Sequence, residues 1–288
     1  MRHRPFRTAF LAPTLAMAMP IGLAACSAGD ESTADTTASA SATPVSQAST
    51  SASASSSASD VEGVEFKKVE KRDGGTFDFS YSWPAEVSAE PKLAAALKSD
   101  MDSALASERA EWEKMIADAP ADCVSCRSRG FSRDWEVVAD LPRFLSLSMQ
   151  IYGYTGGAHG NGGTRGVVWD RQAEARVRPM DFFTSAPALE NAVHARYCPA
   201  LNRERERKRG MPVDPNGDDM FSGCPSIDEL RVLLGSSDGK AFDRIGLIAD
   251  PYVAGSYAEG SYEVTLPVTT ALLDAVRPEY RAAFALRK

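Results

Sequence analysis

Phe144-Leu145-Ser146-Leu147-Ser148-Met149-Gln150-Ile151-Tyr152-Gly153-Tyr154 alternates apolar and polar residues and runs directly into Thr155-Gly156-Gly157-Ala158-His159-Gly160-Asn161-Gly162-Gly163. Period-two alternation puts Leu145, Leu147, Met149 and Ile151 on one side of a strand, with Ser146, Ser148, Gln150 and Tyr152 on the other. A strand of this kind predicts an antiparallel sheet with one face on a core and the other toward water. Seven glycines fall between Gly153 and Gly166. At that density they serve positive φ angles or the close approach of another backbone or ligand. Tyr152 and Tyr154 are expected to leave the strand on the face away from the apolar side. Tyr152, Tyr154, Gly156, Gly157, His159 and Asn161 are therefore the candidate ligand-binding residues. The segment reads first as a structural turn, second as a recognition edge and third as a catalytic loop.

Working outward, residues 64–69 and 76–83 read as strands joined by Asp73-Gly74-Gly75, with Phe77, Phe79, Tyr81 and Trp83 on one face. Pro91 opens a helix at a tolerated position, and Leu93, Leu97, Met101, Leu105, Trp112 and Ile116 recur at helical spacing. Residues 135–140 form a strand ahead of the alternating one, and residues 166–170 and 175–178 form the next hairpin. A second helix is expected from Pro187, kinked or divided at Pro199, which lacks an amide proton. The Arg/Glu run over residues 203–209 reads as a solvated helix end with internal ion pairs. An acidic loop over 211–223 precedes a short helix at 227–234, strands at 242–248 and 262–266, and a helical region at 268–284 interrupted by Pro278. Strands and helices come in runs, so the fold class is α+β: a mainly antiparallel sheet packed with two or three helices.

The first 60 residues are of another kind. Arg2, Arg4 and Arg7 precede an apolar run ending in Leu23-Ala24-Ala25-Cys26, the pattern of a secretory leader. Leu-Ala-Ala-Cys resembles the lipobox of bacterial lipoproteins. By that resemblance residues 1–25 are removed, Cys26 is lipidated, and Ser27 permits sorting to the periplasmic side of the outer membrane. Residues 27–60, mostly Ser, Ala and Thr with scattered acids, cannot bury enough apolar surface to order. As a flexible tether they span roughly 30 Å, and the folded domain is expected over 61–288. The chain carries a net charge of −7, and the leader contributes arginines but no acids. Such a chain is a poor partner for nucleic acid, and the only membrane contact expected is the lipid anchor. Four cysteines remain, and an exported chain with an even number is read as disulfide-bonded with three connectivities open. Cys123 with Cys126 and Cys198 with Cys224 is favoured, because each pair brackets one local loop. A redox reading of Cys123-Val124-Ser125-Cys126 lacks the strand-then-helix setting it requires.

Chemistry can be tested by subtraction. After the leader only His159 and His194 remain. His-Glu-x-x-His, Gly-x-Ser-x-Gly and Gly-Lys-Ser/Thr motifs are all missing, so no catalytic residue, metal or cofactor is assigned. His194 lies beside the Leu189/Val193/Tyr197 stripe and reads as structural.

Three places together resemble the RsiV-type domain of unknown function: Tyr154 through Asn161; Trp169-Asp170 with Met180-Asp181-Phe182-Phe183; and Asp250-Pro251-Tyr252 through Tyr257-Ala258-Glu259-Gly260 to Val264-Thr265-Leu266-Pro267. That domain occurs in lysozyme-sensing anti-sigma factors, in the non-catalytic part of some peptidoglycan deacetylases and in proteobacterial lipoproteins. The resemblance implies a non-catalytic periplasmic lipoprotein that binds a protein or cell-wall ligand, either a lysozyme-like muramidase or peptidoglycan. Neither the anti-sigma region nor the deacetylase metal motif is in the sequence. The competing reading is a peptidoglycan hydrolase or deacetylase acting near His159. Lipidation has a direct test: Cys26→Ala should move the protein out of the membrane fraction on ultracentrifugation, and retention there would instead report an uncleaved apolar helix.

Overall fold

The computed structural model describes residues 61–214, 217 and 220–287. The leader, Cys26 and the tether lie outside the described residues. β1 (Val64–Arg72) and β2 (Gly75–Trp83) form a hairpin closed at Asp73 and Gly74, both at positive φ (49° and 78°). A short helix, α1 (Ala85–Ser88), leads into α2 (Pro91–Asp118), and the chain returns as β3 (Arg129–Asp140) parallel to β2. A parallel neighbour requires a long crossover, which α2 supplies. β4 (Phe144–Tyr154), β5 (Asn161–Asp170) and β6 (Ala175–Val177) then add as antiparallel neighbours, so the order of the six strands in space is their order in the chain.

The apolar stripe of α2 finds its partner on this sheet. Leu93, Leu97, Met101, Trp112 and Ile116 share one core with Phe77, Phe79, Tyr81 and Trp83 of β2 and with Leu145, Leu147 and Met149 of β4. Trp112 stacks on Phe77 with ring centroids 5.4 Å apart, and its indole N–H donates to the Arg127 carbonyl at 2.9 Å. Each such buried side chain contributes about 1.5–3 kcal/mol, against roughly 0–1 kcal/mol for an exposed ion pair. The aromatic layer therefore outweighs the charges arrayed on the outside of α2. Inside it, Tyr81 donates to Asp100 at 2.7 Å and accepts the Trp135 indole at 3.2 Å. Burial, with the Asp100 carboxylate beside it, pushes the Tyr81 phenol up to about 12.

The second half forms a separate layer. α3 (Ala186–Arg209) starts at Ser185, whose hydroxyl accepts the Ala188 amide at 3.1 Å, and stops at Gly210 with φ 69°. β7 (Arg231–Gly235), β8 (Arg244–Ala249) and β9 (Tyr262–Pro267) make a three-stranded antiparallel sheet, followed by α4 (Thr270–Ala275). Leu189, Val193, Tyr197 and Leu201 of α3 share a core with Val232, Leu234, Ile245, Leu247, Val264 and Leu266. Ala139, Phe144 and Val168 of the large sheet join the same core. The structure joins Cys123 to Cys126 and Cys198 to Cys224.

The α+β class with mainly antiparallel pairing holds, and four local expectations change. Residues 227–234 are a 3-10 turn at Ile227–Glu229 and then β7, not a helix. A short apolar run has no period long enough to tell the two apart. Of the two readings for Pro199, division falls away: α3 is continuous through it, with Tyr197 and Leu201 on either side both buried and outweighing one missing hydrogen bond. The polar face of β4 is solvated only at Gln150 and Tyr152: Ser146 and Ser148 are buried because the small sheet covers them. Arg205, expected in water, is 1% exposed and donates to the carbonyls of Ala254, Ser222 and Gly223.

Packing of β7 on β5 depends on Gly166, where a Cβ would sit 2.3 Å from the Val232 carbonyl oxygen. Gly166→Ala is expected to cost about 1–3 kcal/mol through overpacking, read as a drop of several degrees in Tm. Gly153→Ala, on the neighbouring strand with nothing within 4 Å of the added carbon, should change stability by less than about 0.5 kcal/mol. Equal effects in thermal melts would show that the β5–β7 approach is not tight.

Candidate functional site

The turn between β4 and β5 occupies residues 155–160, and Asn161, Gly162 and Gly163 already belong to β5. Gly156 and Gly157 both hold φ 92°, and the Tyr154 hydroxyl donates to the Gly157 carbonyl at 3.0 Å. At Gly160 an added Cβ would lie 2.4 Å from Cζ and Oη of Tyr152, so only glycine lets that ring lie across the turn. His159 donates through Nδ1 to the Gly160 carbonyl at 2.8 Å. Its ring stacks on Tyr257, with centroids 3.9 Å apart and planes at 19°.

Tyr257 comes from the connection between β8 and β9, residues 250–261. Asp250 opens that connection and is buried. Its Oδ1 accepts the Thr164 amide of β5 at 2.9 Å, and its Oδ2 accepts Nε of Arg231 at 3.0 Å. Tyr252 sits at φ 70° with its ring exposed, 5.8 Å from that of Tyr257. Ser256 starts a 3-10 turn through a capping box in which its amide and hydroxyl each donate to Glu259 at 3.0 Å. Glu259 also accepts from Arg209 at 2.8 Å and from the Tyr262 hydroxyl. Burial opposes the Glu259 charge, but the hydrogen bonds from Tyr262, Arg209 and Ser256 prevail and hold the carboxyl down at about 2.

Between the two turns lies an open cleft of about 460 Å³ lined by Ser132, Gln150, Ile151, Tyr152, Gly162, Gly163, Pro251 and residues 257–261. Two tyrosine rings border it, and Tyr152 is 41% exposed. The Thr164 hydroxyl donates to Gln150 Oε1 at 3.1 Å, which orients the amide and does not consume its N–H donors. Flat apolar rings beside a few fixed polar groups suit a ligand with both apolar faces and hydroxyl or amide groups.

Of the residues singled out in the sequence, Tyr152 lines this cleft and His159 supports it from behind Tyr257. Tyr154, Gly156, Gly157 and Asn161 lie outside the lining: Tyr154 and Gly157 bond to each other, and Gly156 packs toward Ser125 of the Cys123–Cys126 loop. Asn161 pairs with Gly153 at the start of β5. Pro251, Tyr257, Ala258 and Ser261 were not singled out for ligand contact. The signal for them was the second turn-rich aromatic segment, almost a hundred residues further on. His159 contacts a backbone carbonyl and a tyrosine ring, which fix its position without supplying an acid or base partner. His194 is exposed on α3 and bonds to Glu190.

The fold is that of an α+β domain with an open cleft, and comparison with known proteins adds a partial match. Residues 70–162 match the family model described as Deacetylase PdaC. The match runs from within β1 into the start of β5, so it includes the Gly-Gly-Ala-His turn and ends before Tyr257. The chain is also similar to a crystal structure of a DUF3298 family protein from Pseudomonas aeruginosa PAO1, with 16% identity and TM-score 0.49 over 79% of this chain and 98% of that one. A DUF3298 member from Bacteroides fragilis NCTC 9343 gives 15% identity and TM-score 0.45 over 72% and 89%. No curated protein matches.

The Glu259 network makes a pH prediction. A carboxyl held at about 2, below its ordinary 4.5, adds stability that is fully present above pH 4.5 and is lost as pH falls toward 2. Glu259→Gln should therefore lower stability at pH 7 by about 1.5–3 kcal/mol, and the gap to the unsubstituted protein should close on acidification. Thermal melts at pH 7, 4 and 2.5 provide the check; a gap that stays constant would remove the charged network as its source.

Proposed function

We propose that this protein is a non-catalytic lipoprotein of the bacterial envelope whose cleft binds a cell-wall ligand, the amino-sugar glycan of peptidoglycan. The observation that carries this reading is the pair of rings, Tyr152 and Tyr257, bordering an open cleft that also holds Gln150, Ser132 and Ser261. Sugar rings offer apolar C–H faces to aromatic planes, and N-acetyl and hydroxyl groups to amide and serine partners. The stack of His159 behind Tyr257 fixes that ring in advance of binding, which lowers the ordering cost. The partial match to a deacetylase family supports a cell-wall setting, although the matched segment brings no catalytic metal motif with it. The lipid anchor and outer-membrane location belong to this proposal and follow from the leader and Cys26.

The net charge of −7 favours a second version in which a cationic lysozyme-type muramidase is the partner. Isothermal titration of the purified protein with soluble muropeptides separates the two. Binding is expected, and Tyr257→Ala should weaken it about tenfold or more, the range of an aromatic hot spot. Capture of a muramidase at physiological salt, with muropeptides silent, would replace the glycan by the protein partner. Turnover of muropeptides that vanishes in His159→Ala would overturn the non-catalytic reading altogether.

A further inference from the structure

On the far side of the second core, α3 carries Glu190, His194 and Cys198 one turn apart along a single face. Glu190 Oε1 lies 2.7 Å from His194 Nδ1, and its other oxygen accepts the Ile227 amide at 2.6 Å. A carboxylate bonded to Nδ1 fixes the ring and its tautomer and leaves Nε2 as the ligating nitrogen. That nitrogen sits 3.5 Å from Sγ of Cys198, which is joined to Cys224, and Nδ1 is 3.6 Å from the same sulfur. The ligating atoms of His194, Cys198 and Cys224 all lie within 4.8 Å of one another. In a tetrahedral zinc site, with bonds of about 2.0–2.3 Å, neighbouring ligand atoms stand roughly 3.5–3.8 Å apart. Reaching that spacing requires the two sulfurs to part from bonding distance and Nε2 of His194 to turn toward them.

We propose that opening of the Cys198–Cys224 disulfide by a dithiol reductant converts this cluster into a three-ligand site for zinc, with Cys198, Cys224 and His194 Nε2 as ligands and water in the fourth position. The dithiol passes two electrons and two protons to the disulfide, closes to its own disulfide, and leaves two thiols on the protein. The cation then displaces both thiol protons to solvent. What keeps Cys224 in place after the covalent bond is gone is visible on both sides of it. Arg205 holds the carbonyls of Ser222 and Gly223 at 3.2 and 2.8 Å, and Glu190 holds the Ile227 amide. The cluster is also within reach of solvent, since His194 is exposed and both sulfurs are only partly buried. The other disulfide, Cys123–Cys126, has a serine hydroxyl near its sulfur and no such imidazole.

The test uses the mature protein, reduced with dithiothreitol and freed of it without oxygen, with cobalt(II) as the optical probe. The reduced protein should take up one cobalt per chain, show the visible bands of a tetrahedral thiolate site, and lose them on addition of zinc. The oxidised protein should show none. Cys198→Ser should abolish the bands, and His194→Ala and Glu190→Gln should each weaken binding about ten- to a hundredfold. The paired variant Cys123→Ser/Cys126→Ser should bind as the parent does. Silence of the reduced protein, bands that persist in Cys198→Ser, or bands lost with Cys123 and Cys126 would each overturn the assignment.

Discussion

One carboxylate ties the two sheets together. Asp250 follows β8 of the small sheet, yet one oxygen takes an amide from β5 of the large sheet while the other takes a guanidinium from β7. A bond to a charged group of this kind contributes about 1.5–3 kcal/mol. Its placement counts for more than its size. β5 pairs with β6 only at residues 168–170, so among the described residues the earlier part of its outer edge has no strand partner. Asp250 occupies the Thr164 amide on that edge, where an unsatisfied strand would otherwise invite a foreign one. The same carboxylate lies against Gly163 and precedes Pro251, two residues that line the cleft between Tyr152 and Tyr257.

Much of the large sheet was legible in the residues. The alternation from Leu145 to Tyr152 gave β4, the aromatic file from Phe77 to Trp83 gave β2, and the stripe from Leu93 to Ile116 gave α2, because long periodic patterns admit one reading. The small sheet was harder. Val232, Leu233 and Leu234 form a strand too short for any period, and their apolar character fits helix and strand alike. Ser146 and Ser148 are polar by type but buried by place, since a second sheet lies over them, and no local pattern announces a cover that arrives some eighty residues later. Arg205 failed for the same reason. Its carbonyl partners lie far along the chain, and the alternating charges around it describe a solvated helix.

The candidate site was half legible. The glycine-rich turn stood out by composition, and its histidine does mark the right neighbourhood. What composition could not convey was that the glycines there serve packing, as Gly160 does for the Tyr152 ring, while the contact surface is completed by a distant aromatic turn. Two segments, each plain in chemistry alone, make a cleft only where the fold brings them together.

The strand order of the large sheet has a consequence in time. Each of its pairings joins chain neighbours, and all but the β2–β3 pair close through a short turn, so the loop-closure entropy of each step is small. The sheet can grow in the order in which its residues occur, with α2 swinging across to admit β3. Asp250, by contrast, follows Thr164 by 86 residues. A loop of that length costs more entropy to close. The strands of the large sheet thus close over short loops or one helical crossover, and the clasp beside the cleft has a longer loop to close than any of them.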